Sequence, residues 1–221
     1  MTAFAYYRLP YLHHAHYVAQ REGEPEVLSS VAELNGKEGF VIAPFSPSSD
    51  CPVLLIHPDE SKLLPISDAK AISTSDSTLG EDASDRDAYA GAFECFHQEL
   101  EKGTFRKIVL ARKATVRTAD KDFENLFMKA CRMYPRLFVS LVYTPQSGMW
   151  LMATPEILLK GEQGNMSTMS LAGTQKAEPS RTVADYPVEG VEWSHKNQEE
   201  QQYVTDYIED CIKAFADDYQ L

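Results

Sequence analysis

Lys107, Glu156, Thr174 and Glu200 are the side chains of this 221-residue sequence most readily put to chemical use. Lys107 stands in Phe105-Arg-Lys-Ile-Val-Leu-Ala-Arg112, where alternation puts it on the face of Val109 and Ala111. A lysine sharing an apolar face loses hydration, which disfavours its ammonium form and makes the amine a usable general base. On an exposed edge the same residue would only snorkel into water, and the pattern alone does not choose. Glu156, in Ala153-Thr-Pro-Glu-Ile-Leu-Leu159, sits among apolar neighbours just after a strand-breaking proline. Desolvation there would keep it protonated, as a general acid requires; a turn carboxylate facing water is the plainer alternative. In Leu171-Ala-Gly-Thr174, Gly173 and Thr174 offer backbone N–H groups and a hydroxyl suited to a carboxylate, or simply an ordinary turn. Glu200 lies three and four residues before Tyr203 and Val204, so it shares the inward stripe of a helix. An inward carboxylate needs a partner, and Mg²⁺, a salt bridge or the helix dipole would each serve.

These residues need elements to hold them. Residues 1–66 read as short strands separated by turns, with β-rich runs at 39–44 and 51–57 around a Pro/Ser/Asp turn cluster. Residues 67–87 carry almost no large apolar side chain and read as a linker or mobile loop. A helix follows, with Ser84 and Asp87 as its cap pair. Tyr89, Phe93, Phe96 and Leu100 lie on one face, and Gly103 is the stop. Residues 105–117 read as a strand around Ile108, Val109 and Leu110. Phe123, Leu126, Phe127, Ala130 and Cys131 mark a second helix that ends before Pro135. Runs at 137–144 and 149–154 form a hairpin, and 157–160 with 166–171 form two further strands. The last helix spans about 192–217, with Tyr203, Val204, Tyr207, Ile208, Cys211, Ile212 and Phe215 as its apolar stripe. Strands joined by short turns predict a mostly antiparallel sheet packed with helices, an α+β fold.

The balance of 21 Lys and Arg against 33 Asp and Glu, a net charge of −12, disfavours nucleic acid and anionic membrane as partners. No signal peptide and no apolar run of membrane-spanning length are seen, which predicts a cytoplasmic protein. Cys51, Cys95, Cys131 and Cys211 are scattered singly, which predicts reduced and mostly buried thiols. His13, His14 and His16 lack the spacing of a helical metal site.

Taken in order, Lys107-Ile-Val-Leu-Ala-Arg112, Ala153-Thr-Pro-Glu-Ile-Leu-Leu159, Leu171-Ala-Gly-Thr174 and Lys196-Asn-Gln-Glu-Glu-Gln-Gln-Tyr-Val204 closely resemble the chorismate-binding enzymes. Within that family they resemble the isochorismate synthases, over residues 85–215. The resemblance implies part of the aminodeoxychorismate synthase-like fold and Mg²⁺-dependent conversion of chorismate to isochorismate, for menaquinone or siderophore synthesis. Water adds at ring C2 while the C4 hydroxyl departs. By the same resemblance Lys107 is the base on water and Glu156 the acid on the leaving hydroxyl. Gly173 and Thr174 meet the substrate, and Glu200 is a Mg²⁺ ligand. Leu171 and Lys107 favour this branch over the anthranilate and aminodeoxychorismate synthases, which use ammonia; salicylate synthases share the lysine.

The resemblance also implies that residues 88–221 are the first part of a catalytic domain. The family continues beyond its first long helix with a substrate-binding arginine, a second metal-binding glutamate and another lysine. Gln201 stands where several relatives have histidine. The expectation is therefore an incomplete portion of the enzyme. The competing expectations are an ammonia-using or salicylate-forming relative, or an inactive ligand-binding fragment that self-associates through its uncovered helix stripe.

Overall fold

The computed structural model describes residues 2–66, 83–113, 122–162, 164–174 and 192–214. In chain order its elements are β1 (Ala3–Arg8), β2 (His14–Gln20), β3 (Glu26–Leu28), β4 (Phe40–Ile42), β5 (Val53–Ile56) and β6 (Glu60–Pro65). They continue with α1 (Ala83–Glu101), α2 (Phe123–Met133), β7 (Phe138–Thr144), β8 (Gly148–Thr154), β9 (Lys160–Glu162), β10 (Asn165–Ser167) and α3 (His195–Lys213). Every strand pairing among the described residues is antiparallel, as the α+β expectation required. The chain forms two compact units. The first comprises Met1–Ser77 and Arg117–Pro155, the second Thr78–Val116 and Glu156–Leu221.

The first unit is built on a five-stranded sheet of order β6-β2-β1-β7-β8. Alternation along β1 explains its two faces. Ala3 and Ala5 are fully buried on one side with Val18, Ile56 and Val142. Phe4 and Tyr6 point to the other, where Phe127, Met128 and Cys131 of α2 cover Ala15, Val139 and Leu141. A three-stranded sheet of order β3-β5-β4 buries Leu28, Val53 and Leu55 with Leu34 packed against them. The predicted hairpins at 39–57 and 137–154 are β4–β5 and β7–β8.

Arg8, at the end of β1, is only 2% exposed. Its guanidinium donates to the carbonyls of Tyr134 (2.5 Å), Pro135 (2.5 Å) and Leu137 (2.8 Å), just past the C-terminus of α2. Those carbonyls lack helical partners, so a buried cation there satisfies them and meets the negative end of the helix dipole.

The second unit holds α1, β9, β10 and α3. The α1 helix ends as predicted at Gly103, whose φ of +72° suits a residue without Cβ. The amide of Thr104 bonds the Glu99 carbonyl and that of Gly103 the Leu100 carbonyl, a Schellman closure. The β9–β10 hairpin is shorter than the predicted pair at 157–160 and 166–171.

Three expectations change. First, residues 67–82 of the proposed linker lie outside the described residues, but helix α1 begins already at Ala83, ahead of the predicted Ser84/Asp87 cap. No proline or glycine stands between 83 and 88, so nothing in the chain's chemistry stops the helix at its apolar stripe. Second, the described part of the predicted strand, residues 105–113, is irregular, and residues 114–117 are not described. Strand propensity expresses itself only against a partner ladder, and none forms there among the described residues. Third, only Cys131 is buried; Cys51, Cys95 and Cys211 are exposed. Single-residue type cannot place a thiol on the inner or outer side of its element.

Candidate active site

The five residues singled out by the motifs all fall in the second unit. Lys107 follows the α1 stop by four residues, on the irregular segment. Its ammonium lies 3.1 Å from the Glu200 carboxylate on α3, with both side chains about 30% exposed. The pairing replaces both readings of Lys107 drawn from alternation. It is neither alone on an apolar face nor snorkelling from an edge, but half-buried against an acid. Of the three partners open to Glu200, the structure shows the salt bridge.

An open cleft of about 680 Å³ adjoins this pair. Phe93, Phe96 and Leu100 of α1 form its apolar wall. Arg106, Lys107 and Lys196 bring three cations to its lining, and Glu101, Glu199 and Glu200 three carboxylates. The Arg106 guanidinium also lies 5.9 Å from the centre of the Tyr203 ring. An apolar wall beside a few charged side chains suits a small ring-bearing polar ligand.

The α3 helix carries this arrangement. Ser194 caps it, accepting from the Asn197 amide at 3.2 Å. Its half-buried residues are Asn197, Glu200, Gln201, Val204, Thr205, Ile208, Glu209 and Ile212, while Tyr203, Tyr207 and Cys211 are exposed. All eight follow the i, i+3, i+4 rule, but the stripe is rotated from the predicted one and polar in its first turns. Phe215, the last residue of the predicted stripe, lies outside the described residues.

Gly173 packs on this first turn. Its φ is +75°, and a Cβ there would come 3.2 Å from the Asn197 side chain, so both conformation and contact call for glycine. Thr174 is exposed beside it. Upstream, the Thr168 hydroxyl donates to the Ile157 carbonyl at 3.2 Å and ties this segment to the motif that holds Glu156.

Glu156 is exposed rather than buried among its apolar neighbours, and it does not line the cleft beside Lys107. The apolar side chains around it are themselves turned outward: Leu158 is 93% exposed and Leu159 62%. Thus the structure brings together Lys107 with Glu200, and Gly173 with α3, but does not bring Glu156 to the base.

The resemblance calls for Mg²⁺ at Glu200. Among the described residues no group of three or more His, Cys, Asp or Glu could hold a metal ion. Glu200 offers one carboxylate, and the Lys107 ammonium already occupies it. Mg²⁺ seeks an octahedron of oxygens, so these residues do not by themselves fit the ion. In the histidine tract the His16 ring stacks on Tyr7 at 4.8 Å, and the His14 ring lies 5.6 Å from that of His16.

The family model described as chorismate binding enzyme matches residues 54–221. The chain belongs to that family. The match starts inside β5, further towards the N-terminus than the four motifs reach. No curated protein and no solved structure matches the chain. As a chorismate-binding enzyme it acts in a family whose substrate is a small ring carrying two carboxylates. No helix among the described residues is long and apolar enough to cross a membrane.

Sequence reasoning missed Ser170, Gln201 and Thr205. Residues 199–202 read as a solvated polar run, yet Gln201 is half-buried and bonded across to Ser170. The signal available was spacing: Asn197, Gln201 and Thr205 recur every four residues, a polar stripe with donors and acceptors on one helix face.

Proposed function

We propose that this chain is an isochorismate synthase, or the part of one that holds its base. It would add water at C2 of chorismate and release the C4 hydroxyl, supplying menaquinone or siderophore synthesis. One observation carries the reading. The motif lysine and the motif glutamate, far apart in sequence, meet at 3.1 Å in the lining of one cleft.

The chemistry follows from the groups. Arg106 and Lys196 offer charge to the substrate carboxylates, while the apolar side chains of α1 face the ring. Lys107, deprotonated to the amine before turnover, accepts a proton from the attacking water as the C2–O bond forms, and the Glu200 carboxylate is the counter-charge for the ammonium that results. The C4–O bond breaks and the departing hydroxyl takes a proton from an acid, which the motif assigns to Glu156. Glu156 enters the reading through its motif alone. Mg²⁺ enters through the motif position of Glu200 alone.

The test is product analysis after incubation with chorismate and Mg²⁺. Isochorismate should form, and Lys107→Ala should lower kcat by about 10²- to 10⁴-fold, the usual worth of a general base. An aminated product in the presence of ammonium would move the chain to the ammonia-using branch. Unchanged turnover in the lysine variant would remove Lys107 from the base role.

A further inference from the structure

We infer that Gln201 is a positioning residue that clamps the Leu171–Thr174 segment onto α3 and so couples the substrate loop to the Lys107–Glu200 pair. The inference rests on the proposed function for its consequence in turnover, but not for the clamp itself.

The geometry is that of a three-point grip on one helix face. Asn197, Gln201 and Thr205 follow one another at four-residue intervals along α3 and all three are half-buried. The Gln201 side-chain amide donates to the Ser170 carbonyl at 2.8 Å and to the Ser170 hydroxyl at 3.0 Å. The Thr205 hydroxyl bonds the same Ser170 hydroxyl at 3.0 Å and the Gln201 carbonyl at 3.1 Å. Three residues on, Gly173 seats against Asn197. Ser170 therefore spends both its carbonyl and its hydroxyl on α3, and the segment that follows begins from a fixed point.

Glu200 is the residue directly before Gln201. One step on a helix turns the side chain by about 100°, so a single turn of α3 directs one side chain to the loop and its neighbour to Lys107. A rigid helix then sets the separation between the loop and the base. Such coupling matters because catalytic groups lose rate steeply with small displacements. The amide is chemically suited to the task. It supplies two N–H donors to a carbonyl and a hydroxyl at once, and it adds no charge beside the Lys107–Glu200 pair.

Gln201→Glu keeps the size of the side chain but removes the N–H donors to Ser170. Ser170→Ala removes the shared hydroxyl, and Ser170→Thr restores it. Hydrogen–deuterium exchange on the full chain, with and without chorismate, reads the clamp directly. The Gln201→Glu and Ser170→Ala proteins should exchange faster over residues 170–174, with exchange in β1, β7 and α2 unchanged and Ser170→Thr close to wild type. Steady-state assays should show kcat/KM for chorismate down by roughly tenfold to a hundredfold in the first two variants, and recovered in Ser170→Thr. Unchanged exchange at 170–174 in both variants overturns the clamp. Faster exchange there with wild-type kcat/KM overturns the coupling to the base. If the wild-type chain fails to turn chorismate over, the proposed function fails, while the exchange result still decides the clamp.

Discussion

Arg8 shows how much one side chain can settle. Its cation is buried, yet three carbonyls beyond α2 receive it. Arg8→Met would keep the apolar stem but remove three donors, leaving the Tyr134 and Pro135 carbonyls only their bonds from the Leu137 and Tyr11 amides. Loss of the three charge-assisted bonds should cost about 3 kcal/mol. Urea denaturation is the check, and a loss under about 1 kcal/mol would show that the carbonyls find other partners. The same residue touches the chemistry of Cys131. Burial pushes that thiol up, and the nearby Arg8 guanidinium only partly opposes it. No composition rule marks Arg8 as buried, since arginine is among the residues least often found inside. Lys107 and Glu200 teach the converse. Their motifs could be read from the sequence, but their union could not, because 92 intervening residues had to fold first.

At the scale of elements, helices were easier to read than strands. The α2 face of Phe127 and Cys131 was plain from spacing because a helix makes its own hydrogen bonds and needs only one apolar stripe. The 105–113 run had strand composition but found no ladder among the described residues, since sheet pairing depends on partners distant in sequence. The rotation of the α3 stripe has the same origin. Tyrosines look apolar in a pattern, but they tolerate exposure, while Gln201 and Thr205 were drawn inward by Ser170. The stop of α1 is a local signal that can be tested alone. Gly103→Ala forces a Cβ into a φ of +72° and should cost about 1 kcal/mol, seen as a lower Tm. An unchanged Tm would mean that the chain leaves α1 equally well by another turn.

For the molecule as a whole, the connectivity carries a consequence. The first unit takes residues from both ends of a long excursion, with β1 paired to β2 on one side and to β7 on the other. A peptide of residues 1–66 would lack β7 and α2 and leave Phe4, Tyr6 and Ala15 without their cover. It should show no cooperative unfolding transition; a sigmoidal melt would contradict this. Alkaline stability is a second property of the whole. Burial first, and then the Glu124 carboxylate, push the Tyr6 phenol up to about 12. The unfolded chain ionises this tyrosine near its ordinary value of 10.0, whereas the folded one resists until about 12. A raised value means stability is fully present below pH 10 and declines as pH rises towards 12. Tyr6→Phe should flatten that decline in denaturant midpoints measured across the range. An equally steep fall in the variant would assign the effect to other groups.

The amino-acid sequence by itself determined the α+β class, the two interior helices, the principal hairpins and the family, because periodicity and ordered motifs are local properties of a chain. It also marked Lys107, Glu156, Gly173, Thr174 and Glu200. Only the tertiary structure decided which of them meet. It joined Lys107 to Glu200, seated Gly173 on Asn197, left Glu156 exposed outside the cleft and turned Gln201 inward. The reason is physical: burial and pairing belong to contacts between distant segments. A side chain's type states what it can do, but only its neighbours in space select which of those things it does.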